Sequence, residues 1–164
     1  RRQRQMCIRD SLYIDALVNS INKKINEISW KPDLIIASYH GIPKKYFDKG
    51  DPYHCYCHKT TRLISEKFSS VKIKTTFQSR FGPQEWLQPY TDKTLENLPK
   101  ESIKNVLTIC PGFASDCVET LEEIQIQAKE SFLNSGGENF DMVPCLNDNS
   151  DHIILLKSLI ERNI

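Results

Sequence analysis

Leu34-Ile35-Ile36-Ala37-Ser38-Tyr39 is a short apolar run with no polar face, and a strand of that kind is stable only in a sheet covered on both sides. Helices must therefore lie above and below it, and the flanking sequence supplies them. Leu12, Ala16, Leu17, Ile21, Ile25 and Ile28 keep helical spacing until Pro32 ends the element. Beyond the run, Tyr56 to Phe68 predicts a helix with Leu63, Ile64 and Phe68 inward, and Val71 to Gln78 alternates as a strand. Thr91 to Leu98 predicts a short helix and Asn105 to Cys110 a second buried strand. Val118, Leu121, Ile124, Ala128 and Phe132 then share one helical face. Phe140 to Val143 is a last short strand, and Ser150 to Glu161 a closing helix with Ile153, Leu156 and Ile160 on one side.

Strands alternating with helices predict an α/β chain: a Rossmann-like three-layer sandwich with a four-stranded parallel sheet. No Gly-x-Gly-x-x-Gly comes after any strand, so dinucleotide binding has no support. A net charge of +1 gives no reason to expect nucleic acid as a partner, and no apolar run approaches the ~20 residues of a membrane span. The 164 residues suffice for one domain with a real core, or for a piece of something larger. Six cysteines scattered among apolar strands read as thiols of a reducing compartment, which implies the cytosol or an equivalent interior. Residues 1–11 stand apart: RRQRQMCIRDS has four arginines and no hydrophobic period, and Met6 to Ser11 back-translates to a transposon-end sequencing adapter. Read as such a scar, or otherwise as a natural basic arm, it is excluded from the fold, which leaves 12–164. Removing Arg1 to Asp10 takes away four positive charges and one negative and moves the remainder from +1 to −2.

Parallel α/β sheets bind ligands beyond the C-terminal ends of their strands, so the residues just past each strand make up the functional inventory. The first strand yields His40, the second Gln78 to Trp86, and the third the stretch Cys110 to Glu123, CPGFASDCVETLEE. Read alone, Asp116 is an N-cap and Glu119, three residues on, completes a capping box. Glu123 falls outside that reading, because Glu119 and Glu123 at i, i+4 project from one face and no cap requires the second. A strand-end histidine by itself is more often a hydrogen-bonded structural residue, and Trp86 by itself more often core or interface. Together on one rim they suit proton removal beside a divalent ion, with a flat apolar ligand against Trp86 and the Phe81 loop.

Four stretches in order, SYHGIP at Ser38 to Pro43, KGDPYHCYCHKT at Lys49 to Thr60, FQSRFGPQEWLQPYTD at Phe77 to Asp92 and CPGFASDCVETLEEI at Cys110 to Ile124, resemble ferrochelatase, and specifically its C-terminal half. The resemblance implies insertion of Fe2+ into protoporphyrin IX, the last step of haem biosynthesis, by a bacterial-type cytoplasmic lyase. The family builds a cleft from two Rossmann-like domains, so this half by itself is expected to be inactive. By resemblance His40 is the catalytic histidine, as base or metal ligand. Glu119 is the acid opposite it, Glu123 the next acid of a proton or metal path, and Trp86 and Tyr39 contact the porphyrin. The helix carrying the acids is expected to widen to a π-helix. Cys117 stands where some animal members carry histidine and Gln127 where they carry a third acid, so the acid path is short here.

His54-Cys55-Tyr56-Cys57-His58 has Cys-x-Cys spacing, and the late cysteines lie on other elements, so a bound 2Fe-2S cluster is not expected. The segment reads as a surface turn leading into a helix, with adventitious metal binding as the other reading. No permanently bound cofactor is expected, and Fe2+ and protoporphyrin IX enter as substrates, with peripheral membrane contact in the full-length protein left open. A chelatase for coproporphyrin or sirohydrochlorin and a non-catalytic ligand-binding module remain as alternatives. The module would have no need for His40 and Glu119 on one rim.

Overall fold

A computed structural model describes residues 11–162. The chain runs α1 (Ser11–Glu27), β1 (Leu34–His40), α2 (Lys44–Asp48), α3 (Tyr53–Lys67), β2 (Ile73–Gln78) and α4 (Thr91–Asn97). Next come a 3₁₀ turn (Leu98–Glu101), β3 (Asn105–Ile109), α5 (Val118–Leu121), a π-helical segment (Glu123–Ala128), α6 (Lys129–Asn134), β4 (Asn139–Met142) and α7 (Ser150–Glu161). The four strands form one parallel sheet in the order β2-β1-β3-β4.

Strand alternation divides the core in two. Ile35, Ala37 and Tyr39 of β1 pack with Ile14, Leu17 and Ile21 of α1, Ile64 of α3 and Leu155 of α7. Leu34 and Ile36 face the opposite layer, with Leu95, Ile124, Phe132 and Phe140. Ile35 and Ile36 are both fully buried, each side chain contributing about 2 kcal/mol by area, which is how a strand without a polar face holds two helical layers. No helix among the described residues is long and apolar enough to cross a membrane.

Three elements depart from the periodicity. Helix α3 begins at Tyr53, because Asp51 accepts the Tyr53 N–H at 2.9 Å across Pro52; His54 to His58 are therefore helical and not a surface turn. On α7 the buried residues are His152 and Leu155, while Ile153, Leu156 and Ile160 are exposed. Leu155 and Leu159 make a second apolar stripe beside Ile153, Leu156 and Ile160, and it is this second stripe that packs on the core. Asn149, which accepts the His152 N–H at 2.8 Å, sets its start, and His152 is tied at 2.6 Å to the Asn147 carbonyl. Val118 and Leu121 of α5 also point outward, and Thr120, Ile124, Ala128 and Phe132 are inward. The expected π-widening is present, marked by the Gln127 N–H donating five residues back to Glu122 O at 2.9 Å, and its looser winding carries residues four apart onto one buried line.

Candidate functional site

The sheet reverses its winding between β1 and β3. From β1 the chain passes to α3 on one face, and from β3 it passes to α5 on the other, which opens a crevice at the carboxyl ends of these two strands. His40 is the last residue of β1 and reaches this crevice partly exposed. Its Nδ1 lies 2.6 Å from the Gly41 carbonyl, which can only accept, so Nδ1 carries the proton and Nε2 presents its lone pair. Tyr53 donates to the His40 carbonyl at 2.8 Å and Phe113, from the loop after β3, sits 6.3 Å from the imidazole ring.

The loops after β1 and β2 are bound to each other. Gly41 N–H donates to Gln78 O at 2.7 Å, Leu87 N–H to Ile42 O at 3.0 Å and Lys44 N–H to Glu85 O at 2.9 Å. This pairing places Trp86 against Gly41, with the indole N–H held by Phe81 O at 2.9 Å. Phe81 itself is 83% exposed at the loop tip, beside the indole. A Cβ at Gly41 would lie 2.8 Å from the Gln78 carbonyl and 3.3 Å from the Trp86 ring, so the loops approach this closely only because position 41 has no side chain.

Gln78, buried at the end of β2, has no role in the sequence-based reading beyond its place at the start of the loop. Its side-chain oxygen accepts from Ser38 Oγ at 2.7 Å and from the Cys110 thiol at 3.7 Å. Its amide nitrogen donates to the Glu119 carbonyl at 2.6 Å and to Glu123 Oε2 at 3.3 Å. One amide thus ties the ends of β1, β2 and β3 to the acid-bearing helix. The only sequence signal for it is a polar residue at the closing position of a buried strand. Burial pushes the Cys110 thiol far up, so it stays a neutral donor in this network.

The capping expectation is corrected. The N-cap of α5 is Cys117, and its reciprocal partner is Thr120, whose Oγ1 accepts the Cys117 N–H at 3.0 Å. Asp116 turns away to the β4–α7 connection, accepting from Asn147 Nδ2 at 2.8 Å, Thr120 Oγ1 at 3.1 Å and Cys145 N–H at 3.2 Å. Burial raises the Asp116 carboxyl, but these donors outweigh it and hold the group below the usual carboxylate range. Glu119 is thereby released from capping and points to the crevice side. Its carboxyl is held low by its own backbone N–H, then by the Cys117 thiol, and also by the positive charge of His40 when protonated. Glu119 thus lies within electrostatic range of His40. Glu123 accepts from Ser79 N–H at 2.7 Å and from Ser79 Oγ, holding Ser79 in the left-handed region at φ 61°.

Four of the five expected site residues, His40, Trp86, Glu119 and Glu123, gather on this rim. Tyr39 does not. As the neighbour of His40 in a strand it faces the opposite side, 3% exposed, bonded to Thr61 Oγ1 at 3.0 Å, with burial pushing its phenol well up. Among the described residues no three His, Cys, Asp or Glu side chains are gathered so as to hold a metal ion.

The ferrochelatase family model matches residues 6–164. The ferrochelatase of Rhizobium meliloti (strain 1021) is 55% identical over 157 residues, which is 94% of this chain and 46% of that protein. Those of Allorhizobium ampelinum (strain ATCC BAA-846 / DSM 112012 / S4) and Brucella ovis (strain ATCC 25840 / 63/290 / NCTC 10512) are 54% and 49% identical over 157 residues, covering 94% of this chain and 46% and 45% of theirs. The chain thus spans about half the length of the curated relatives it matches. With a family model spanning nearly every residue, and a parallel sheet that sets a histidine and two acids at its switch point, this chain belongs to the ferrochelatase family.

Proposed function

We propose that the full-length protein containing this chain inserts Fe2+ into protoporphyrin IX, and that the crevice between β1 and β3 forms one wall of the site. The observation that carries this reading is the state of His40: Nδ1–H committed to the Gly41 carbonyl, Nε2 open, and Glu119 near enough to feel its charge. A metal enters a porphyrin only as two pyrrole N–H protons leave. His40 Nε2 takes one of them, and the Glu119 carboxylate stabilises the resulting imidazolium. Glu123, one turn on and in contact with Gln78 and Ser79, gives the second proton a route away from the crevice. Trp86 offers the porphyrin a flat apolar surface next to the Gly41 backbone. The products are the iron porphyrin and two protons, with no change in the oxidation state of iron. The bonds formed are metal to nitrogen, a lyase reaction, and Fe2+ is substrate and not a resident cofactor. Residues 12–164 make up the C-terminal one of two domains in this reading, with the rest of the cleft supplied by the other, and the site opens to the cytoplasm.

The test is anaerobic Fe2+ insertion by the full-length protein, monitored by loss of porphyrin fluorescence. His40→Ala is expected to lower kcat by at least ~100-fold, the usual contribution of a general base. Glu119→Gln is expected to lower it less, because Nε2 survives. A His40→Ala enzyme within a few-fold of wild type would overturn the assignment. A folded wild type that binds protoporphyrin and inserts no metal would make the protein a binding module instead.

A further inference from the structure

The pleat of the sheet sends His40 and Gln78 to one face and Tyr39 and Phe77 to the other. On the Phe77 side, away from the crevice chemistry, α3 presents His54 and His58, four residues and so about one turn apart. Their ring centroids are 4.4 Å from each other. His54 is held between Phe47, at 4.9 Å, and Phe77, at 5.6 Å and nearly parallel with 20° between the planes. His58 is the freer of the two, 6.3 Å from the same phenylalanine and open to solvent. Among the described residues no hydrogen bond or ion pair takes up a nitrogen of either imidazole. Aromatic packing thus fixes where the pair stands, and the ring nitrogens are left for another partner.

We propose that His54 and His58 together chelate one borderline divalent transition-metal ion, of the Zn2+ or Ni2+ class, with water completing its coordination. Neutral imidazole is a preferred ligand of such ions, and two histidines at i, i+4 on one helix face are a known way of gripping one ion from one side. Metal to nitrogen bonds of ~2.0–2.1 Å need the rings slightly further apart than they stand, an adjustment within reach of the exposed His58 side chain. His54 needs little ordering, since Phe47 and Phe77 already fix its ring, and this pre-organisation favours binding. Cys55 is exposed next to His54, yet among the described residues no third ligand joins the pair. The site therefore holds its ion through two protein bonds and exchanges it readily, unlike a closed four-ligand structural site.

The experiment is a titration of the full-length protein with Zn2+ alone, in competition with a chromophoric chelator. The His54→Gln/His58→Gln double variant is expected to lose one equivalent of bound Zn2+. Each single variant is expected to bind that equivalent at least tenfold more weakly, because chelation needs both rings; any ion held near His40 cancels in the difference. Ni2+ added to the wild type should broaden the ring-proton signals of His54 and His58 together. Iron insertion by either single variant should equal that of wild type, which also shows that they fold. An unchanged Zn2+ stoichiometry and affinity in the double variant would overturn the proposal. Loss of affinity in only one single variant, or Ni2+ broadening confined to one ring, would overturn chelation by the pair.

Discussion

Glu123→Ala tests whether the loop carrying Trp86 is held by the acid-bearing helix. The Glu123 carboxylate accepts two short bonds from Ser79 and a longer one, 3.3 Å, from Gln78. Hydrogen bonds to a charged group are worth about 1.5–3 kcal/mol each when shielded. Glu123 is only half-buried and water replaces part of what is lost, so about 2 kcal/mol in total is the expected cost. Ser79 meanwhile sits at φ 61°, where a residue with a Cβ costs about 1 kcal/mol more than glycine. Ser79→Gly alone should be close to neutral, since relief of that strain offsets the lost hydroxyl bond. In the Glu123→Ala background the hydroxyl has no carboxylate to lose, so glycine should recover about 1 kcal/mol. Urea unfolding of the four full-length proteins, monitored by tryptophan fluorescence, gives the double-mutant cycle. A coupling energy below about 0.5 kcal/mol, the size seen for independent sites, would refute the idea that Glu123 holds the Ser79 conformation.

Thr108 is fully buried in β3 and its hydroxyl has no hydrogen-bond partner among the described residues, so Thr108→Val should raise stability by about 1 kcal/mol in the same unfolding measurement. A Cβ at Gly137 would stand 2.2 Å from the ring of Phe132, which is itself fully buried against Phe140, so Gly137→Ala should cost about 2–3 kcal/mol. Gly41→Ala should leave a folded protein by circular dichroism yet lower iron insertion by roughly 100-fold, the scale of a 1 Å misplacement, as the new methyl drives the β2 end from β1. Asp116 has a folded pKa below its unfolded value. Its contribution is therefore present above the ordinary carboxylate range and is lost as pH falls through and below it. The gap in urea midpoint between wild type and Asp116→Asn should accordingly be constant from pH 6 to 8 and close below about pH 4.

The legibility of the site differs from residue to residue. His40 and the Gln78–Trp86 loop are placed by a single rule, that parallel strands deliver their ligand-binding groups at the carboxyl end, and β1 declares itself through six consecutive residues. Tyr39 sits beside His40 in the resembling stretch, and strand alternation sends it into the opposite layer, to Thr61. After β3 the Asp-x-x-Glu pattern points to a helix start one residue early, because it is a valid local capping pattern. Asn147, 31 residues away, is what withdraws Asp116 from the cap. The outward turn of Ile153, Leu156 and Ile160 is illegible for another reason, as Leu155 and Leu159 offer a competing apolar stripe and spacing alone does not choose between the two.

The order of strands and helices, the two-sided burial of β1 and the set of groups at the carboxyl edge of the sheet are local properties. They depend on periodicity and turn chemistry within a few residues, and the chain displays them before it folds. Other features exist only once distant segments meet. Among them are the direction of the Gln78 amide across 41 residues to Glu119, the release of Glu119 from capping through Asn147 and the stacking of His54 on Phe77. Each of these rests on a partner brought close by folding, and a buried polar group takes its orientation from whichever partner folding brings.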